Sequence, residues 1–155
     1  MPESAKVWEI LDKMGQFGLP VKITEFDQVY KGMTEEAQAD DLERFYRLCF
    51  AHPAVQGIYM WGFYEGAHWR PGSALWRKDW TPKLAAERYQ RLMAKDWHSE
   101  GKEVLKDGGL GFRGFYGIYE MENEEFVWEV HCLKEGTRVG PAKAKTPPPP
   151  PPAAS

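Results

Sequence analysis

The segment that decides the fold of this chain is GLPVKITEFD, residues 18–27. Within it, residues 21–26 are rich in β-branched side chains and are bounded by Pro20 and Asp27, which predicts a short β-strand. The preceding residues 5–17 predict an amphipathic helix, because apolar side chains recur at steps of three and four residues: Val7, Leu11, Met14 and Phe17. The chain therefore begins with a helix that leads into a strand.

The same alternation continues after this strand. Thr34 is a favourable N-cap for a second helix, which ends at His52 because the residue before Pro53 avoids helical backbone angles. Residues 55–63, VQGIYMWGF, predict a second buried strand.

A third helix completes the series. Thr81 is expected to be its N-cap, with Pro82 at the first helical position, and it extends to about Asp96. Short strands that alternate with helices predict an α/β fold, with right-handed crossovers and parallel strands covered on both faces. We therefore expect residues 1–100 to form one α/β domain.

The pattern changes beyond Gly101, where short segments rich in aromatic and β-branched residues predict a small antiparallel β module over residues 101–136. The expected strands are residues 103–106, 110–113, 115–121 and 125–132, with a hairpin turn at residues 107–109. From residue 137 the chain consists mainly of Lys, Ala and Pro, with six successive prolines at residues 147–152. Residues 137–155 are therefore expected to be a disordered, Pro-rich tail.

The composition excludes several classes of partner. The 20 basic and 23 acidic residues give a net charge of −3, which provides no electrostatic basis for binding nucleic acid or an anionic membrane. No apolar run approaches the roughly 20 residues that a membrane span needs, and no signal peptide is visible. The two cysteines, Cys49 and Cys132, are far apart in sequence and predict neither a disulfide framework nor a metal site.

Aromatic residues are concentrated after the second strand. Seven of the 22 aromatic residues fall between residues 59 and 80: Tyr59, Trp61, Phe63, Tyr64, Trp69, Trp76 and Trp80. Because the carboxyl ends of parallel strands meet at one edge, Glu25 and Trp61 are expected to share a rim. A carboxylate beside exposed indole rings is typical of carbohydrate sites. The alternative is that Glu25 is a solvated strand-end carboxylate and the tryptophans belong to the core.

Several runs of residues resemble the last third of a family 10 glycoside hydrolase: GLPVKITEFD at residues 18–27, CFAHPAVQGI at 49–58 and WGF at 61–63. The resemblance continues through HWRP at residues 68–71 and TPK at 81–83. It then reaches FRGFYG at residues 112–117, which is similar to a β extension carried by some bacterial and plant members. It spans roughly residues 8–131 of this chain and less than half of the family's catalytic domain.

The resemblance implies a (β/α)8 TIM barrel that cleaves the β-1,4 bonds of xylan with retention, of which this chain supplies the last two β/α units. It implies that Glu25 is the nucleophile and that Asp27 orients its neighbours. The residues that it implies for substrate binding are Trp61, Glu65, His68, Trp69 and Arg70. It implies no cofactor and no metal, a partner that is β-1,4-xylan or a related polysaccharide, and an extracellular location.

One departure from the family concerns the second catalytic carboxyl. The family presents it in an Asn-Glu pair at the end of the fourth strand, whereas the only asparagine here, in Asn123-Glu124, lies in the β extension within an acidic run expected to be a solvated turn. The chain is therefore expected to be either the C-terminal part of a retaining endo-1,4-β-xylanase or a truncated, inert relative that at most binds β-1,4-glycans. With two barrel strands alone, we also expect self-association through unpaired barrel edges.

Overall fold

The computed structural model describes residues 3–101 and 111–145. The chain divides into two compact units, Met1–His98 and Ser99–Ser155. This division lies close to the domain boundary that the sequence predicts at residue 100.

The first unit alternates helices and strands in the predicted order. Its elements are α1 (Ser4–Gly15), β1 (Val21–Phe26), α2 (Glu35–Ala51), β2 (Val55–Met60) and α3 (Leu84–Arg91), which continues as a π-helical turn over Leu92–Asp96. The strands β1 and β2 are adjacent and parallel, with Val21 opposite Val55 and Phe26 opposite Met60. The prediction of an α/β unit with parallel strands is therefore confirmed.

The core of this unit lies where α2 and α3 pack against one face of the two strands. Its buried residues are Ala39, Leu42, Tyr46, Leu75, Ala85, Ala86 and Leu92. From the strands, Phe26, Ile58 and Met60 pack against this cluster. The opposite face carries exposed side chains such as Thr24 and Tyr59, so the expected cover on both faces is not found among the described residues.

The N-terminus of α2 agrees with the sequence prediction, and that of α3 does not. Thr34 caps α2, because its Oγ1 accepts a hydrogen bond of 3.2 Å from the Ala37 N–H. Thr81 is not the cap of α3, since the N-cap position is Lys83, and the Thr81 N–H and hydroxyl both donate to Asp79 Oδ1, at 3.0 and 2.6 Å. The helix therefore begins at Leu84, later than the predicted start.

The strand β2 is also shorter than predicted. It ends at Met60, whereas the sequence predicts a strand to residue 63. The Phe63 carbonyl instead accepts hydrogen bonds of 2.9 Å from the N–H groups of Leu75 and Trp76. Residue 63 is thus paired with residues 75 and 76, later in the same loop, and not with a strand.

A cluster of ion pairs ties α2 to α3. The Glu43 carboxylate, 14% exposed, accepts from Arg47 at 2.8 Å on its own helix and from Arg88 and Arg91 on α3. Burial raises the pKa of Glu43, but the hydrogen bonds from Arg88 and Arg47 and the charge of Arg91 outweigh burial and lower that pKa to about 2. The two helices are therefore held together by charge as well as by apolar packing.

The second unit is an antiparallel sheet of β3 (Gly117–Glu122), β4 (Phe126–Leu133), β5 (Gly136–Val139) and β6 (Lys143–Ala144). The central strand β4 pairs with the other three. A turn at Asn123 joins β3 to β4, since its Oδ1 accepts from the N–H groups of Glu125 and Phe126 at 2.9 and 2.8 Å. Two of the expected strands are thereby found with slightly different bounds.

The other predictions for this unit are untested by the structure or wrong. The expected strand at residues 103–106 and the turn at 107–109 lie outside the described residues, and residues 111–113 form no regular element. The prediction of a disordered tail from residue 137 is wrong at its start, because Thr137 and Val139 of β5 pair with Cys132 and Val130. The six prolines lie outside the described part of the chain. Among the described residues, no helix combines the length and apolar character needed to cross a membrane.

Candidate functional site

The carboxyl ends of β1 and β2 meet at one edge, which we call the strand-end rim (Glu25, Asp27 and Trp61). The Trp61 N–H donates a hydrogen bond of 3.0 Å to the carbonyl of Phe26, the residue that follows Glu25. The structure thus brings Glu25 and Trp61 to the same edge of the sheet. Trp61 is 53% exposed, so about half of its surface is open to solvent.

Glu25 has an unusual backbone conformation. Its φ of 60° lies in the left-handed region, where residues other than glycine are uncommon. Between the pairs Ile23↔Ile58 and Phe26↔Met60, β1 advances by three residues and β2 by two, so β1 carries one extra residue here. Such a bulge redirects a side chain, and strained conformations of this kind concentrate at functional sites. Glu25 is exposed at this bulge.

Asp27 connects the rim to the β2–α3 loop (residues 61–83). Its Oδ2 accepts a hydrogen bond of 2.8 Å from the indole Nε1–H of Trp69, and its Oδ1 lies 3.6 Å from the Arg70 guanidinium. Arg70 in turn lies over the Trp69 ring, 5.2 Å from its centroid. The Trp69 side chain remains 66% exposed. One carboxylate therefore orients both an exposed indole and a guanidinium.

His68 is part of this loop. It is buried, its Nδ1 accepts a hydrogen bond of 2.9 Å from the Arg70 N–H, and a Cβ placed on Gly62 would come within 2.7 Å of its ring. Its Nε2 exposes less than 1 Å² and has no hydrogen-bond partner among the described residues. In this structure the His68 ring is buried and its observed contact is with the Arg70 backbone, while a contact between His68 and substrate stays a prediction.

Glu65 lies in the same loop but makes different contacts. Its carboxylate is 3.5 Å from the buried Lys83 Nζ and accepts a hydrogen bond of 3.3 Å from the Lys78 N–H. These contacts hold the loop against the start of α3. Glu65 is not joined to Asp27, Trp69 or Arg70 by any hydrogen bond found among the described residues.

Two contributors to this site were not anticipated from the sequence. The Val29 carbonyl accepts a hydrogen bond of 3.1 Å from Arg70. Gln38 on α2 donates to the backbone of the β2–α3 loop and to that of the loop between β1 and α2. Gln38 precedes Leu42 by one helical turn, so a polar residue on the apolar face of α2 is the pattern that points to it. The Val29 contact uses a backbone atom and has no sequence pattern.

The described residues offer no arrangement for a metal ion, since no group of three or more His, Cys, Asp or Glu side chains comes together in them. The Asn123-Glu124 pair is in the turn between β3 and β4, as the sequence predicts. The site in the first unit therefore consists of carboxylates, exposed indoles and one guanidinium.

Comparison with known proteins identifies a family. Residues 1–93 match the family model described as Glycosyl hydrolase family 10. Over 114 residues the chain is 43% identical to Anti-sigma-I factor RsgI6 of Acetivibrio thermocellus, and this aligned part is 72% of this chain and 15% of that protein. Over 123 residues it is 37% identical to endo-1,4-beta-xylanase 1 of Arabidopsis thaliana, which covers 78% of this chain and 13% of that protein.

A solved structure shows the same fold. Xylanase 10B from Thermotoga petrophila in complex with xylobiose matches 61% of this chain and 32% of its own length, with 23% identity and a TM-score of 0.53. At this identity the likeness concerns the fold. This chain thus spans about a third of that structure and 13–15% of the two curated relatives.

Proposed function

This chain belongs to glycosyl hydrolase family 10, and on that premise we propose that it supplies the nucleophile side of a retaining endo-1,4-β-xylanase site. The observation that carries the proposal is the strained, exposed Glu25 on a β-bulge, beside Trp61 and the Asp27–Trp69 pair. A carboxylate so placed is suited to attack an anomeric carbon, and the exposed indoles are suited to stack on sugar rings.

The fold supports a specific place in the family's (β/α)8 barrel. We assign β1 and β2 to its last two strands, with α2 and α3 as the helices that follow them. The exposed face that carries Thr24 and Tyr59 is then the side that faces the barrel interior. The small antiparallel sheet of the second unit corresponds to the β extension.

The chemistry follows from this placement. The Glu25 carboxylate attacks the anomeric carbon and the glycosidic C–O bond breaks, leaving a glycosyl-enzyme that water then hydrolyses. A second carboxyl, about 5–5.5 Å from the first in retaining enzymes, must protonate the leaving oxygen and then activate the water. Asp27 orients Trp69 and Arg70. Glu65 holds the same loop in place through its contacts with Lys78 and Lys83. His68 is assigned to supporting Arg70.

The second carboxyl determines what this chain does by itself. Within the described residues, the Asn-Glu pair occupies a hairpin turn of the second unit and does not end a parallel strand. We therefore expect the isolated chain to bind β-1,4-xylan fragments and to hydrolyse xylan slower by at least the ~10²–10⁴-fold associated with general acid catalysis. Polymeric xylan is extracellular, so an extracellular location is part of this proposal.

A second candidate is a non-hydrolytic module that binds β-1,4-glycans. The observation that favours it is the 43% identity to a protein named as an anti-sigma factor, higher than the 37% identity to the plant xylanase. In such a module the strand-end rim would bind a glycan without cleaving it.

The test is a titration of the chain with xylohexaose, followed by calorimetry, together with counting of reducing ends released from xylan. We expect binding that Trp69→Ala weakens and that Phe17→Ala leaves unchanged, because Phe17 is also exposed (81%, against 66% for Trp69) but precedes β1 at the opposite end of the strands. The second candidate would be favoured if the chain bound xylohexaose but released no reducing ends even after addition of a fragment that carries the first six strands of a family 10 barrel. No binding under any condition would contradict both.

A further inference from the structure

Gln38 is a polar residue inside an apolar core. It lies on α2, is 5% exposed, and is followed one turn later by the buried Leu42. Its Nε2 donates hydrogen bonds of 3.1 Å to the carbonyls of Gly72 and Ser73, and a longer one of 3.5 Å to the Gln28 carbonyl. A buried amide is costly unless it is paired, and these bonds show what it is paired with.

The acceptors belong to two different loops. Gln28 lies in the β1–α2 loop (residues 27–34), directly after Asp27, whereas Gly72 and Ser73 lie in the β2–α3 loop, soon after Trp69 and Arg70. Gln38 therefore joins the same two loops on their buried side, next to α2, that Asp27 and Trp69 join at the surface.

The loops fit together closely at this point. A Cβ added to Gly72 would lie 3.0 Å from Val29 Cγ2, so the backbone of one loop rests on a side chain of the other. Arg70 also donates to the Val29 carbonyl at 3.1 Å. A shift of the Gly72–Ser73 backbone would consequently move Arg70 and the adjacent Trp69.

We propose that Gln38 is a positioning residue. Its buried carboxamide holds the β2–α3 loop in the position that brings the Trp69 indole within hydrogen-bonding distance of Asp27. It contacts no sugar. Its effect on sugar affinity rests on the proposed function, whereas its effect on the Trp69 indole does not. Loss of the amide removes the donor from the partly buried Gly72 carbonyl and from the buried Ser73 carbonyl, which the loop relieves by moving.

The experiment follows the Trp69 indole N–H in ¹H–¹⁵N NMR spectra of the full chain, with the resonance assigned through Trp69→Phe. In Gln38→Leu we expect this resonance to move and its exchange with solvent to accelerate by about fivefold to thirtyfold, as for the loss of a buried hydrogen bond. Xylohexaose affinity is expected to fall by a similar factor.

The matched control is Cys49→Ser, on the same helix but about three turns further along it. It also disturbs a fully buried position, yet we expect the Trp69 indole resonance to stay in place. An equal displacement in both variants at comparable loss of stability, or no displacement in Gln38→Leu, would overturn the proposal.

Gln38→Glu covers the case in which Gln38→Leu does not fold. As a carboxylate it donates nothing to the two carbonyls, but once protonated it donates one hydrogen bond. We expect its Trp69 resonance to be displaced at neutral pH and to return toward the wild-type position as the pH falls, with wild type titrated in parallel. A resonance that stays at the wild-type position throughout contradicts the proposal. Failure of wild type to bind xylohexaose would contradict the proposed function and leave this NMR test intact.

Discussion

The indole Nε1–H of Trp69 donates a hydrogen bond of 2.8 Å to Asp27 Oδ2, linking residues 42 positions apart in the chain. This bond places an exposed aromatic ring beside the carboxyl end of β1, where Glu25 lies. The same carboxylate faces Arg70, which stacks over that ring. The candidate site is therefore built by contact between two loops.

Removal of Asp27 tests this relationship. Asp27→Ala leaves the Trp69 indole without its hydrogen-bond acceptor and Arg70 without its paired carboxylate, so we expect xylohexaose affinity to fall by about fivefold to thirtyfold, as for a loss of about 1–2 kcal/mol. Asp27→Asn keeps an acceptor for the indole and should lose less. Calorimetric titration measures both, with the exposed Asp79→Ala as control. Unchanged affinity in Asp27→Ala would show that the bond does not position the ring for sugar.

Glu43 predicts a pH-dependent stability. Its folded-state pKa is lowered from 4.5 to about 2, so its contribution is fully present above pH 4.5 and is lost as the pH falls toward 2. We expect Glu43→Gln to reduce the free energy of unfolding at pH 7 by about 1–3 kcal/mol. In urea titrations the difference from wild type should shrink across that window. Glu9→Gln, which breaks only exposed ion pairs on α1, serves as the control, and a difference that is constant with pH would contradict the assignment.

The Cys49 thiol should be unreactive in the folded chain. It is fully buried, and burial raises its pKa to about 11, so little thiolate forms near neutral pH. In a Cys132→Ser variant, where Cys49 is the remaining cysteine, we expect negligible reaction with a thiol-specific disulfide reagent until urea is added. Rapid labelling without denaturant would show that α2 opens readily.

The open face of the β1–β2 sheet predicts self-association. Tyr59 on β2 is 54% exposed there, on strands that pair only with each other among the described residues. We expect the sedimentation coefficient to rise with concentration and Tyr59→Lys to reduce that rise. The control is Tyr116→Lys, which changes an exposed tyrosine of the second unit. A chain that stays monomeric at every concentration would contradict this prediction.

Local sequence patterns predicted the first unit well, because its signals are local. The strand Val21–Phe26 has the predicted bounds, and the Thr34 cap lies at its predicted position. The Thr81 cap was wrong, because the helix begins at Leu84 and Thr81 instead forms a local turn with Asp79, an alternative that competes with helix capping.

The features of the site that sequence did not predict depend on tertiary contacts. The bulge at Glu25 arises from the register between two strands, and the bridging role of Gln38 depends on two loops that meet above α2. His68 was predicted as a substrate-binding residue, and its burial and its hydrogen bond from the Arg70 N–H could not be read from the sequence. Burial of a single loop side chain has no periodic pattern from which to predict it.

Covalent trapping shows whether Glu25 is the nucleophile of the site. The reagent is a dinitrophenyl β-xylobioside with fluorine in place of the 2-hydroxyl. Dinitrophenolate leaves without protonation, so the reaction needs no general acid, and the fluorine slows hydrolysis of the glycosyl-enzyme. We expect one fluoro-xylobiosyl group on the peptide that contains Glu25, retained in Glu65→Gln and absent in Glu25→Gln. No adduct on a chain that binds xylohexaose, or an adduct on another residue, would show that Glu25 is not the nucleophile.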